Sequence, residues 1–267
     1  MAKKLLPDAL WAEIAPLFPC AAPRPKGGRP RVKDREALIG ILFVLYTAIP
    51  WERLPFEVAG CSGMTCWRRL RTWQDAGLWD EIHRHMLERL NLAGEIDWSR
   101  ASVDASSVPA KKGGDAIGPN PTDRGKPGTK RHIMVDRKGL PLAVVLTGAN
   151  RHDSMALTEV VDAVHPVRQR RGRPRKRPRK LHADKGYDFP RCRRDLRKRS
   201  IAPRIARRGV DSSEHLGKHR WVVERTFAWI NQFRRLAIRY ERHADLYRAF
   251  CVLAAAIICF RAIAKFC

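Results

Sequence analysis

Apolar residues in the first ninety positions recur at helical spacing. Leu10, Trp11, Ile14 and Leu17 fall on one face behind Asp8, an expected N-cap, and Pro19 closes the run. Asp34 is expected to cap a second helix through Leu38, Ile41, Leu42 and Leu45 that stops near Pro50. A short helix over 52–58, a glycine turn over 59–63, a helix over 64–75 and another over 78–92 follow. The pattern then changes. A β-branched stretch, 96–108, reads as a strand, and 109–128 is a Gly/Pro-rich loop. Two apolar runs, 129–136 and 140–146, flank Arg137-Lys138-Gly139 as a hairpin. Asp153 is the expected cap of a helix carrying Met155, Leu157, Val160, Val161 and Val164. A strand over 181–184, a helix over 191–199, a strand over 202–205 and helices over 219–233 and 245–264 complete the chain. This order predicts two domains: a helical one over 1–93 and an α/β one over 94–267, with acids at strand ends where such sheets place their sites.

Composition narrows the partner. The formal charge of +26 over 267 residues calls for a polyanion, nucleic acid or an acidic membrane surface. The apolar run from Ala249 to Phe260 is shorter than the roughly 20 residues a membrane span needs, and reads as a core helix. The seven cysteines form neither a CxxC pair nor a Cys/His metal spacing. With no apolar leader at the N-terminus, a soluble protein of the cytoplasm, associated with the nucleoid, is expected.

Two regions carry DNA-binding character. The short helix, glycine turn and arginine-rich helix over 52–75 have the order of a helix-turn-helix, with Arg68, Arg69 and Arg71 expected to face DNA while Trp67, Leu70 and Trp73 pack inward. Within 168–180, a linker inside the second domain, nine of thirteen residues are Lys or Arg. It contains Arg171-Gly172-Arg173-Pro174, whose flat extended form can enter an A·T-rich minor groove, although a solvated segment attracting phosphates unspecifically is the simpler reading. Gly28-Arg29-Pro30-Arg31 repeats the motif.

Three acids stand out for chemistry. Asp104 follows a β-branched residue at a strand end, Asp184 ends a strand before a glycine turn, and Glu224 lies on a helix with Phe227 and Asn231 on its face. Each alone is an ordinary turn or surface acid. Together, from neighbouring strand ends and a crossing helix, they form an oxygen donor set suited to Mg²⁺ or Mn²⁺ in phosphodiester chemistry. Lys185 is placed to touch a phosphate beside them. Tyr187 has two readings, stacking on a displaced base or packing against the sheet end. Asp136 belongs to a hairpin turn.

The stretches Ser102–Ser107 (SVDASS), Gly128–Lys138 (GTKRHIMVDRK), Ala149–Ser154 (ANRHDS), Ala183–Asp188 (ADKGYD) and Arg220–Phe227 (RWVVERTF) resemble those of the DDE transposases of bacterial insertion sequences, most closely the insertion-sequence-five family. Gly28–Val32 (GRPRV), Pro50-Trp51 and Trp67–Trp73 (WRRLRTW) resemble that family's helical DNA-binding region, so the likeness covers nearly the whole chain. It implies an RNase H-like catalytic domain, a mixed sheet flanked by helices, behind a helix-turn-helix-like domain. It also implies Asp104, Asp184 and Glu224 as a catalytic, metal-binding triad. The expected activity is binding of terminal inverted repeats, cleavage of the ends and transfer of the 3′-hydroxyls to target DNA by a homodimer or larger synaptic assembly. A catalytically silent DNA-binding derivative and a metal-dependent nuclease of the same fold are the rival readings. The broader group carries Tyr, Arg, Glu and Lys around the third acid. Arg220 matches and implies a phosphate contact, whereas Gly217 and Asn231 stand at the Tyr and Lys positions.

Overall fold

The structure is a computed structural model that describes residues 5–20, 30–210 and 213–263, with the backbone alone for 213–220. Helices α1 (Asp8–Ile14), α2 (Asp34–Thr47), α3 (Phe56–Ala59), α4 (Gly63–Asp75) and α5 (Leu78–Leu92) come first. A mixed sheet follows, built from β1 (Ala101–Pro109), β2 (Gly118–Pro119), β3 (Pro127–Asp136), β4 (Pro141–Gly148), β5 (Lys180–Ala183) and β6 (Ala202–Ile205). Helices α6 (Asp153–Asp162) and α7 (Pro190–Lys198) lie between strands, and α8 (Ser213–Asn231), α9 (Arg234–Ala237) and α10 (Ala244–Ile263) end the chain.

Strand order is β4-β3-β1-β5-β6, with β2 adding a short pairing to the start of β3. The first three are antiparallel, while β5 and β6 run parallel to β1. That is the RNase H-like arrangement. Alternation along β3 separates the two faces. Lys130 and His132 point to the α6 side, where Lys130 pairs with Asp153 at 2.8 Å. Arg131 points to the α8 side, where its guanidinium lies over Phe227 and donates to Asn231 Oδ1 at 2.9 Å.

Helix α10 is apolar and long enough, by length and composition, to cross a membrane, yet most of it is buried, against α5 and β4. It joins the N-terminal helices to the sheet. Trp51 stacks on Phe250 with centroids 6.0 Å apart, and Arg248 makes a two-pronged ion pair with Asp80 of α5 at 2.6 and 2.7 Å.

Several local expectations are corrected. Residues 96–100 are not strand: they turn at 98–99, where Asp97 accepts the Ser99 amide at 2.8 Å and Trp98 Nε1 is drawn to Asn91, so β1 begins only at Ala101. The 109–128 loop contains β2. Asp8, Asp34 and Asp153 are first helical residues rather than N-caps. The caps are Pro7, Lys33 and His152, and Asp153 is instead held by Lys130. His152 caps α6 by accepting the Ser154 amide at Nδ1.

The turn before α4 leaves no room for a side chain at its first residue. A Cβ on Gly63 would lie 1.7 Å from the Trp51 carbonyl oxygen, a backbone atom that cannot yield. Gly63→Ala is expected to cost about 3 kcal/mol or more, checked by urea denaturation; wild-type stability would mean that the turn relaxes freely.

Asp136 closes the β3–β4 hairpin. Its carboxylate accepts the amides of Asp97, Lys138 and Leu140 at 2.8–2.9 Å, and burial raises its pKa to about 6. The folded chain then holds this proton more tightly than the unfolded one, whose Asp titrates near 4. Its stabilising contribution is therefore full below about pH 4 and declines as pH rises through about 6. Melting temperatures across that window should fall more steeply for wild type than for Asp136→Asn; equal slopes would place the titration elsewhere.

Candidate active site and nucleic-acid interface

Parallel pairing puts Ala101 beside Leu181 and Ser102 beside His182. Continuing that register by two residues brings Asp104 level with Asp184, one step past the end of β5. Asp104 sits opposite Ile133 and Ser106 opposite Arg131, so both belong to the α8 face of the sheet. Phe227 and Asn231 meet that face through Arg131. Glu224, three and seven residues earlier on α8, shares their side of the helix. All three acids therefore address one face of the sheet.

They are not drawn into a closed cluster. Among the described residues, no three His, Cys, Asp or Glu side chains stand close enough together to hold a metal ion. Asp104 Oδ1 accepts the Ala105 amide at 2.8 Å, and Asp184 Oδ1 caps a short 3₁₀ turn through the Gly186 amide at 2.9 Å. Like charges also oppose closer approach of three carboxylates. In kind and placement the set is hard oxygen donors from three elements, half-buried at Asp104 and Asp184 and exposed at Glu224.

Beyond Asp184 the turn is clamped from below. Arg193 donates to Asp188 Oδ1 at 2.6 Å and holds that carboxyl below its usual pKa range. The Arg208 amide donates to Asp188 Oδ2, and Arg208 Nε donates to the Lys185 carbonyl at 3.0 Å. Lys185 lies half-buried in this turn. Tyr187 is 1% exposed and packs into the core, so of its two readings the structure supports packing; no base reaches it there.

The arginines of α4 divide. Arg68 is exposed and Arg71 half-exposed, its guanidinium over the Trp67 ring at 5.3 Å. Arg69 does not face outward. At 100° per residue it turns toward the Leu70 and Trp73 side, is 7% exposed, and bonds Val32 and Asp34. Trp67 is only half-buried.

Arg171 and Arg173 are exposed, but their segment is not extended. Val167 and Arg175 exchange two backbone bonds at 2.7 Å, and Gly172 turns at φ 84°, so 168–174 is a closed loop. The Arg220 side chain, Gly28 and Arg29 lie outside the described residues.

Sequence reasoning assigned no role to Arg131. It is 1% exposed and ties Ser106, Asn231 and the Leu236 carbonyl together, placing a cation at the corner where α8 carries Asn231. An arginine inside an alternating apolar strand is the signal that was present; its cross-strand partner, Ser106, is set by the register.

Comparison with known proteins gives the family. Residues 99–259 match the family described as "Transposase DDE domain", and residues 6–83 match "Putative transposase of IS4/5 family (DUF4096)". The chain belongs to the DDE transposases, enzymes that cut and join DNA. Within them it is of the IS4/5 kind found in bacterial insertion sequences. It is 52% identical over 148 residues to the "Putative transposase for insertion sequence element IS402" of Burkholderia cepacia, covering 55% of this chain and 70% of that protein. It is 50% identical over 123 residues to an uncharacterised 16.2 kDa protein of the same element, covering 45% of this chain and 84% of that one. Among solved structures, a piggyBac transposase synaptic complex with hairpin DNA aligns at TM-score 0.46 and 11% identity, covering 96% of this chain and 72% of that one. The Mos1 strand transfer complex aligns at 0.31 and 14%, covering 90% and 81%.

Proposed function

We propose that this transposase binds the terminal inverted repeats of its own insertion sequence, cleaves the ends and joins the freed 3′-hydroxyls to target DNA, with Asp104, Asp184 and Glu224 as the catalytic acids. What supports the assignment is one geometric fact: parallel register levels Asp104 with Asp184 on the face that the Glu224 side of α8 covers. These acids would hold divalent cations, Mg²⁺ or Mn²⁺, which when bound activate an oxygen nucleophile and neutralise phosphate charge. Asp104 presents its oxygens from the middle of β1 rather than from the strand end the sequence suggested, Asp184 from the end of β5, and Glu224 supplies its carboxylate from the helix. Lys185, beside Asp184, offers a positive charge to the same phosphate, and Arg220, one turn before Glu224, another.

The net charge of +26 supports a polyanionic partner, and the exposed Arg68, Arg171 and Arg173, with the half-exposed Arg71, can meet one. Holding two ends at once calls for a homodimer or larger assembly, in the cytoplasm and on the nucleoid. The deciding experiment incubates a labelled duplex from the genomic junction flanking the gene, together with a plasmid target, in Mg²⁺. Joined products carrying label support transposition. Cutting without joining favours the nuclease, and binding without cutting in Mg²⁺ or Mn²⁺ favours the silent derivative.

A further inference from the structure

A groove of about 590 Å³ runs beside α4, lined on one side by Thr65, Arg68 and Thr72 and on the other by Arg31 and Val32. What makes it a groove is Arg69. Its Nη2 donates to the Val32 carbonyl at 3.0 Å, its Nη1 lies 3.0 Å from Asp34 Oδ1, and its guanidinium sits 5.6 Å from the centre of the Trp73 ring. A buried arginine with a planar fork thus pins residues 32–34, which have no helical structure before Asp34, alongside the exposed face of a well-capped helix.

The two walls differ in what they can read. Thr65, Arg68 and Thr72 recur at helical spacing on a 13-residue helix, whose width of about 10–12 Å suits a major groove about 12 Å across. Arg31 stands on the segment just before α2, which forms neither helix nor strand, and an arginine on such an arm can enter the narrower minor groove. Both cations are exposed, and Asp34, an acid that feels the Arg31 charge, is paired with Arg69. Glu36 lies on α2 near Gly60.

The geometry points to a two-groove reader of duplex DNA. One sugar-phosphate strand lies in the groove, α4 faces the major groove with Arg68, and Arg31 crosses the strand into the adjacent minor groove. Arg69 is the positioning residue that fixes the spacing between the two. This rests on the end-binding reading above and adds to it which residues read which groove.

The test uses full-length protein and labelled duplexes from the genomic junctions, read by fluorescence anisotropy. A·T pairs are replaced one at a time by I·C, which keeps the A·T minor-groove pattern, or by G·C, which adds a minor-groove amino group. Wild type should tolerate I·C but lose about tenfold with G·C at an A·T step beside the α4 footprint. Arg31→Ala should bind the natural duplex about tenfold more weakly and no longer distinguish the two replacements. Arg69→Lys should lose the same discrimination while retaining dependence on Arg68. Should that variant melt early, Arg31→Ala, a surface change, decides alone. Arg31→Ala binding like wild type, or wild type indifferent to I·C against G·C at every step, overturns the two-groove reader and leaves end binding intact. Wild type showing no preference for junction duplex over scrambled duplex overturns the end-binding reading itself.

Discussion

Glu224→Gln and Asp104→Asn should each bind a junction duplex within about twofold of wild type and cut it about 10³-fold more slowly, the scale seen when one group that stabilises transition-state charge is removed. The reasoning is local. Glu224 is exposed on α8, and no described hydrogen bond or ion pair uses its carboxylate to hold the fold, so the amide should be tolerated structurally. Asp104 Oδ1 accepts the Ala105 amide, a bond that Asn can also accept. Single-turnover cleavage with Mg²⁺, beside anisotropy without it, separates binding from chemistry. A sharper variant is Asp104→Cys. A thiolate is a poor Mg²⁺ ligand and a better Mn²⁺ ligand. Activity absent in Mg²⁺ and regained in Mn²⁺ would place that side chain on the ion. Either amide variant cutting at the wild-type rate would remove its acid from the site.

The level of the proposed acids in the sheet was legible because strand and helix periods constrain it. Asp184 stands between an apolar strand and a glycine turn, and Asp104 follows Val103 in an alternating run, so both had to lie at sheet level. What one-dimensional pattern lacks is register: nothing in the sequence says that β5 pairs with β1 rather than β4, and that pairing alone levels the two acids. Charge misled at Arg69. An arginine on a basic helix reads as solvent-facing until a distant carbonyl, Val32, and a distant acid, Asp34, are seen to receive it. Tyr187 shows the converse, an aromatic at a plausible surface turn that tertiary packing against α6 buries. The N-cap errors share one cause: each Asp lies one residue inside its helix, where its charge still favours the helix N-terminus.

The largest stability effect should come from the buried Arg235–Glu241 ion pair beside α9, whose arginine also bonds the chain just after α2. Arg235 Nε donates to Glu241 Oε1 at 2.7 Å, with side chains 7% and 4% exposed, and Arg235 Nη1 donates to the Ile49 carbonyl at 3.1 Å. The guanidinium also lies 5.0 Å from the centre of the Tyr240 ring and 6.0 Å from that of Trp51. Removing the acid strands a buried cation. Glu241→Leu is therefore expected to cost about 3–5 kcal/mol, and to lower the melting temperature by on the order of 10 °C for a chain of this size. The double variant Glu241→Leu with Arg235→Met removes both charges and should recover most of that loss, because the penalty belongs to the unpaired charge rather than to the space it fills. Calorimetry of the two variants tests this directly. A double variant as unstable as the single would assign the loss to packing instead. The Ile49 bond adds a second readout. If Arg235 couples the catalytic domain to the N-terminal helices, amide exchange at the end of α2 should quicken in Glu241→Leu along with that around α9. Quickening confined to α9 would show that the pair stabilises only its own corner.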